Sequence, residues 1–202
     1  MTKTHARYTP MTTTVAAAML SALAYLLMLL EFPLLPAVPY LKMDFGDIPA
    51  IFGAVVFGPV CGVTVELVKN LLEMLTRGIG QQLGFGNLQN FLIGCAYLIP
   101  FSLLYRWMER REFRLPAPVR ALIPAAAGVA LMLVVGFLSN WVMAPLFFRF
   151  FLNNPLGAGE ALSAAWVSVP FNALKGGIVT VLMVPLLALS LGPVRRALDK
   201  NP

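Results

Sequence analysis

Charge is scarce in this sequence. Only 12% of its 202 residues are Asp, Glu, Lys or Arg, about half the share of an ordinary soluble domain, and too few to coat a globule in water. Long stretches carry none. Residues 78–105 and 121–148 are 28 residues each without a charge, and the 34 residues between Glu160 and Arg195 hold Lys175 alone. A spanning helix needs roughly 20 apolar residues, so the chain reads as an all-α, multi-pass membrane protein.

Motifs that carry catalysis are also missing. The one histidine is His5, near the start, and no HExxH or GxSxG occurs. Without GxxxxGK[ST] there is nothing to cradle and hydrolyse ATP. The two cysteines, Cys61 and Cys95, stand in apolar helical stretches with no CxxC or metal spacing, and read as packing residues. No enzyme, no metal and no resident cofactor are expected. The length predicts one membrane domain over 1–202, with no room for a soluble nucleotide- or nucleic-acid-binding module.

The net charge of +6 follows topology instead of a nucleic-acid partner. Ten of the fifteen basic residues cluster at Lys3 and Arg7, at Arg106, Arg110, Arg111, Arg114 and Arg120, and at Arg195, Arg196 and Lys200. Only Lys42, Arg77 and Arg149 lie in the other connections, while Lys69 and Lys175 fall inside spans. That bias puts the basic segments, and both termini, on the cytoplasmic side.

Six helices are predicted, at about 11–32, 47–57, 60–76, 87–107, 119–143 and 161–191. Thr12–Thr14 read as the start of the first, and Pro33, Pro36 and Pro39 end it. The second is too short to cross a ~30 Å core comfortably. Between helices lie a loop Leu34–Phe45, a Gly58-Pro59 turn, a glycine-rich connection Gly78–Gly86, a basic loop Met108–Pro118 and an aromatic, proline-broken loop Ala144–Gly159.

Polar residues inside spans mark cavities or partners, because burying them in lipid is costly. Glu66, Lys69, Glu73 and Arg77 share one face of the third helix, joined by Asn70, and read as a neutral packing ladder. Ser168, Asn172 and Lys175 share a face of the sixth, where no carboxylate of the same helix neutralises Lys175. The fifth adds Ser139, Asn140 and Trp141; Asn87, Gln89 and Asn90 open the fourth. Several amides and one ammonium converging from different helices suit an uncharged, hydrogen-bonding ligand. In the first helix, Ala18 and Ala22, with Ala17 and Ser21, make a strip of small residues that lets another helix approach closely.

Four segments, in order, carry a resemblance: the stretch from Phe32 to Ala50; Phe57-Gly-Pro with Val65-Glu-Leu-Val-Lys-Asn-Leu-Leu; Gly86-Asn-Leu-Gln-Asn-Phe; and Pro170-Phe-Asn-Ala-Leu-Lys-Gly. They resemble the riboflavin-specific S components (the RibU family) of energy-coupling factor (ECF) vitamin transporters. Gln89 departs from the pattern, where a small residue is expected. The resemblance implies a six-helix subunit of the bacterial cytoplasmic membrane that captures riboflavin from outside. Such a subunit works with a transmembrane T component and two cytoplasmic ATPases. It also implies that Asn140, Asn172 and Lys175 bind the ligand and that Leu41, Lys42, Asp44 and Phe45 help to close the site. Ala18, Ser21 and Ala22 would form the docking strip for the T component.

The chemistry is consistent with this. Riboflavin joins a flat apolar ring to a polyhydroxyl chain without charge, and an asparagine amide matches the imide edge of the ring. Asn87 is a further candidate contact, and Trp141 a candidate cover for the ring face. Other readings of the same residues are an S component for another vitamin such as thiamine, a small membrane enzyme acting on lipid, and a self-sufficient transporter.

Overall fold

Thr9 starts the first helix: its hydroxyl accepts the Thr12 N–H at 3.2 Å, with Pro10 in the first turn. This cap precedes the expected Thr12–Thr14, whose Thr13 and Thr14 hydroxyls fold back onto helix carbonyls instead. The structure, a computed structural model, describes residues 9–34, 41–77, 84–111 and 116–199. His5, Lys3, Arg7, Pro36, Pro39, Arg114, Lys200 and most of the glycine-rich connection therefore lie outside the described residues.

Six helices are present among the described residues: α1 (Pro10–Met28), α2 (Asp47–Val56), α3 (Pro59–Arg77), α4 (Phe85–Arg110), α5 (Ala117–Phe151) and α6 (Ala158–Asp199). Four of them, α1, α4, α5 and α6, are long and apolar enough to cross a membrane. α3 has the length, but its charges break the apolar run. α1 ends four residues earlier than expected, and the chain then forms something an all-helical reading leaves out. β1 (Phe32–Pro33) pairs antiparallel with β2 (Lys42–Met43), Phe32 opposite Met43.

The largest departure is at the far end of α5. The helix runs through Pro145 to Phe151 instead of stopping near 143, and α6 begins three residues sooner and runs on to Asp199. In water, proline commonly ends a helix. Here the added turns are held by packing: Phe147 and Phe151 meet the ring of Phe85 at the start of α4, centroids 6.0 and 5.4 Å apart, which offsets the backbone bond lost at Pro145.

α2 is ten residues, about 15 Å long, and lies packed among α1, α3, α4 and α6. Its last carbonyls are satisfied from α4: Arg106 Nη1 donates to Val55 O at 3.0 Å and to Val56 O at 3.2 Å. α3 then returns along α2 at very short range. A Cβ on Gly62 would lie 2.5 Å from the Ala54 Cβ and 2.7 Å from Ala50 O, so only glycine permits this approach. Arg106, Arg110 and Arg120 stand at the end of the bundle opposite to Lys42, Arg77 and Arg149, as the charge bias requires.

Candidate functional site

β2 sets the alternation from which the site is built. Strand residues point to opposite sides in turn. Lys42 faces outward to Glu31 at 2.7 Å, and Met43 is fully buried. Glu31 also receives Arg77, whose Nη2 reaches Leu29 O at 3.5 Å at the end of α1. Burial opposes ionisation of Glu31, but hydrogen bonds from Lys42 and Arg77 win and hold its carboxyl below the ordinary value. This clamp fastens the strand pair to the outer end of α3. Phe45 packs partly buried against Phe32, ring centroids 6.1 Å apart, and Leu41 is half-buried at the start of β2.

Inside the clamp, charges and amides from five elements meet. Asp44 is buried and accepts the Gly46 N–H at 2.8 Å, a local turn that leads into α2. Asp47, the first residue of α2, receives Lys69 from α3 on one oxygen and Lys175 from α6 on the other, the latter at 3.0 Å. Lys175 also donates to Asp44 Oδ2 at 3.1 Å and to Asn90 Oδ1 of α4 at 3.0 Å. Lys69, wholly buried, bonds Glu66 at 2.9–3.0 Å as well. Ions at such depth are tolerated only when paired and hydrogen-bonded.

Two expectations change here. Lys175 is not without a counter-charge, because acids from outside its own helix supply two. Nor is the α3 ladder one unit. From Glu66 to Arg77 the helix rises about 16 Å, so its two halves lie at different depths. Glu66 and Lys69 pair inward with Asp47, whereas Glu73 and Arg77 pair at the outer end with Asn87 and Glu31. Asn87, expected on the ligand, gives its amide to Glu73 and to Asn70 O at 3.2 Å, fastening α4 to α3.

Next to this network is a pair of amides. Asn140 of α5 is buried and donates to Gly136 O at 2.9 Å. Asn172 of α6 is 1% exposed, and among the described residues neither its Nδ2 nor its Oδ1 has a hydrogen-bond partner. Asn172 turns its Nδ2 end against Gly136: a Cβ there would fall 2.2 Å from Asn172 Nδ2. Lys175 is one helical turn from Asn172, so ammonium and amide share a face. A separate cavity of about 220 Å³, lined by Tyr105, Glu109, Arg120 and Leu187, lies at the basic end of the bundle, away from these amides.

Three sequence expectations do not join the site. Trp141 follows a buried asparagine on α5 and is 50% exposed on the outward face, where it cannot cover a ring held by Asn140. Lys42 points to Glu31 at the surface. In α1, Ser21 is buried and bonds Ala17 O at 2.7 Å, on the face turned to α2 and α3, so it is not part of a docking strip. Ala18 and Ala22 are exposed on the opposite face. Asp47 and Asn90, which the sequence reading did not place at the site, are central to it. The available signal was general: a lone lysine deep in a span needs an acid, but six of the nine acids lie away from the basic clusters, so the sequence does not say which one answers it.

Comparison with known proteins agrees with this architecture. The family model described as "ECF transporter, substrate-specific component" matches residues 12–187. A relative named riboflavin transporter FmnP, from Bacillus subtilis (strain 168), is 34% identical over 170 residues, 83% of this chain and 85% of its own. Riboflavin transporter RibU from Staphylococcus aureus (strain TCH60) is 32% identical over 174 residues, 85% of this chain and 86% of its own. A solved structure of the S component of a bacterial ECF transporter superposes with a TM-score of 0.73 at 26% identity, covering 92% of this chain and 99% of that one. Because the family match runs from α1 into α6, the chain belongs to the substrate-specific (S) components of ECF transporters.

Proposed function

We propose that this chain is the riboflavin-capturing S component of an ECF transporter in the bacterial cytoplasmic membrane. The names of its relatives support the vitamin, and the geometry supports the chemistry. One observation carries the reading: the Asn172 amide offers a donor and an acceptor side by side, both buried and both without a partner among the described residues. A buried polar group left unpaired costs about 1–3 kcal/mol, so an amide in that state is matched to something it binds. The imide edge of the flavin ring presents the complementary acceptor and donor. Asn140 and Lys175 flank it, and the apolar helix faces suit the rest of the ring.

The subunit works with a transmembrane T component and two ATPases, and carries no nucleotide motif of its own. Ala18 and Ala22 present a flat, exposed strip on α1 for the T component. A yellow preparation with flavin absorbance bands, and stoichiometric quenching of flavin fluorescence on titration, is the expected result. A colourless protein that leaves added riboflavin unquenched refutes the assignment.

Gly136→Ala tests the site without touching the ligand. The new methyl would lie 2.2 Å from Asn172 Nδ2, closer than any contact can be, so Asn172 must turn out of place. Riboflavin affinity should fall by about ten-fold or more, equal to at least one hydrogen bond. Binding at the wild-type level, measured by fluorescence titration, would show that Asn172 is not oriented by this glycine.

A further inference from the structure

We propose that Asp44 is a built-in competitor of the ligand: its carboxylate holds the Lys175 ammonium at the position the vitamin takes, so capture requires Asp44 to let go. The inference rests on the riboflavin reading above. It assigns Asp44 a role opposite in sign to that of a ligand contact.

A lysine ammonium has three N–H donors and no acceptor. All three are answered by the protein: Asp44 Oδ2 at 3.1 Å, Asp47 Oδ2 at 3.0 Å and Asn90 Oδ1 at 3.0 Å. An incoming flavin oxygen or nitrogen therefore reaches Lys175 only by replacing one of them. Asp47 is poorly placed to leave. It holds Lys69 as well, and it occupies the first turn of α2, where the helix dipole favours a negative charge. Asn90 is fixed in α4 and also donates to Asn70 Oδ1 at 3.4 Å. Asp44 stands in the non-helical link between β2 and α2, and its other hydrogen bond is the local one from Gly46.

The ion pairs select the same residue. Asp47 bonds both Lys69 and Lys175, whereas Asp44 bonds Lys175. When Asp44 lets go, Lys175 keeps the Asp47 carboxylate and the Asn90 oxygen, so no base is left without a partner. In a protein whose binding-competent state is a fraction of the whole, the apparent affinity is reduced by that fraction. Weakening the competitor therefore tightens binding.

The test uses the purified full chain in detergent, with riboflavin followed by stopped-flow and equilibrium fluorescence. Asp44→Asn is expected to bind riboflavin on the order of ten-fold more tightly, with most of the gain in the association rate. Glu160→Gln, which removes an exposed carboxylate that accepts the Gly157 N–H at the start of α6, outside the cluster, is expected to leave the affinity unchanged. Weaker or equal binding by Asp44→Asn overturns the proposal and makes Asp44 a ligand contact or a passive tie. A tightening of the same size in Glu160→Gln also overturns it, because total charge would then be the cause. Asp44→Ser serves where the asparagine variant does not fold, and failure of both to fold makes Asp44 a structural anchor and overturns the competition. A wild-type chain that binds no riboflavin refutes the functional reading itself, a different result from wild-type binding that Asp44→Asn fails to improve.

Discussion

Asn172→Leu is expected to melt at a higher temperature than the wild type while losing riboflavin affinity by two to three orders of magnitude. The two effects have one cause. Both polar atoms of Asn172 are buried without a partner among the described residues, a state that costs the ligand-free fold about 1–3 kcal/mol per group. Leucine has nearly the same branched shape without the polar atoms, so the fold is relieved of that cost. The ligand then loses two hydrogen bonds and buries its own imide edge unpaired. Together these losses amount to about 3–4 kcal/mol, or a hundred- to a thousand-fold in the dissociation constant. Thermal unfolding without riboflavin and fluorescence titration with it measure the two sides separately. A lower melting temperature with unchanged affinity would identify Asn172 as a packing residue.

Ala22→Trp is expected to reduce riboflavin uptake in cells to background while the isolated protein binds the vitamin as the wild type does. The same holds for Ala18→Trp. The face of α1 that packs inside the protein is made by Ala17, Ser21, Ala24 and Met28, all buried. Ala18 and Ala22 are on the other side, so an indole there enlarges the outside of the bundle and leaves the core alone. The amides of the pocket belong to α5 and α6 and are not reached. What changes is the distance at which another helix can lie, since close approach depends on missing side-chain volume. Co-purification with the T component and ATPases should be lost together with uptake. Normal uptake would place the docking surface elsewhere, and loss of binding in the isolated variant would mean that the strip packs inward.

Lys175 shows how a tertiary contact alters an argument built on one helix. Read along α6 alone, it is a base without a partner, and its removal concerns only the ligand. In the structure it answers Asp44 and Asp47, from a loop and from α2. Removing it leaves two buried carboxylates with Lys69 as their nearest base, so the fold is weakened as well.

The helical membrane class, the order of six helices, the orientation by basic ends and the shared face of Asn172 and Lys175 were all legible in the sequence. Each depends on composition or on the 3.6-residue period, which are local properties. The direction in which Ala18 and Ala22 face was not legible, because a strip of small residues packs equally well against a partner or the core; the structure leaves both exposed and buries Ser21 beside them. What the chain order did not contain is depth and long-range pairing. Nothing local distinguishes Asp44, which meets a lysine 131 positions away, from an acid in an exposed loop. Nothing local makes Trp141 face outward beside a buried Asn140, because one residue is a rotation of about 100° and the direction of the core is set by α4 and α6. Pro145 reads as a break by its own chemistry, and α5 continues through it where Phe147 and Phe151 pack on Phe85 of α4. Gly136 carries no sequence signal of its function, which is defined by the side chain that α6 lays across it.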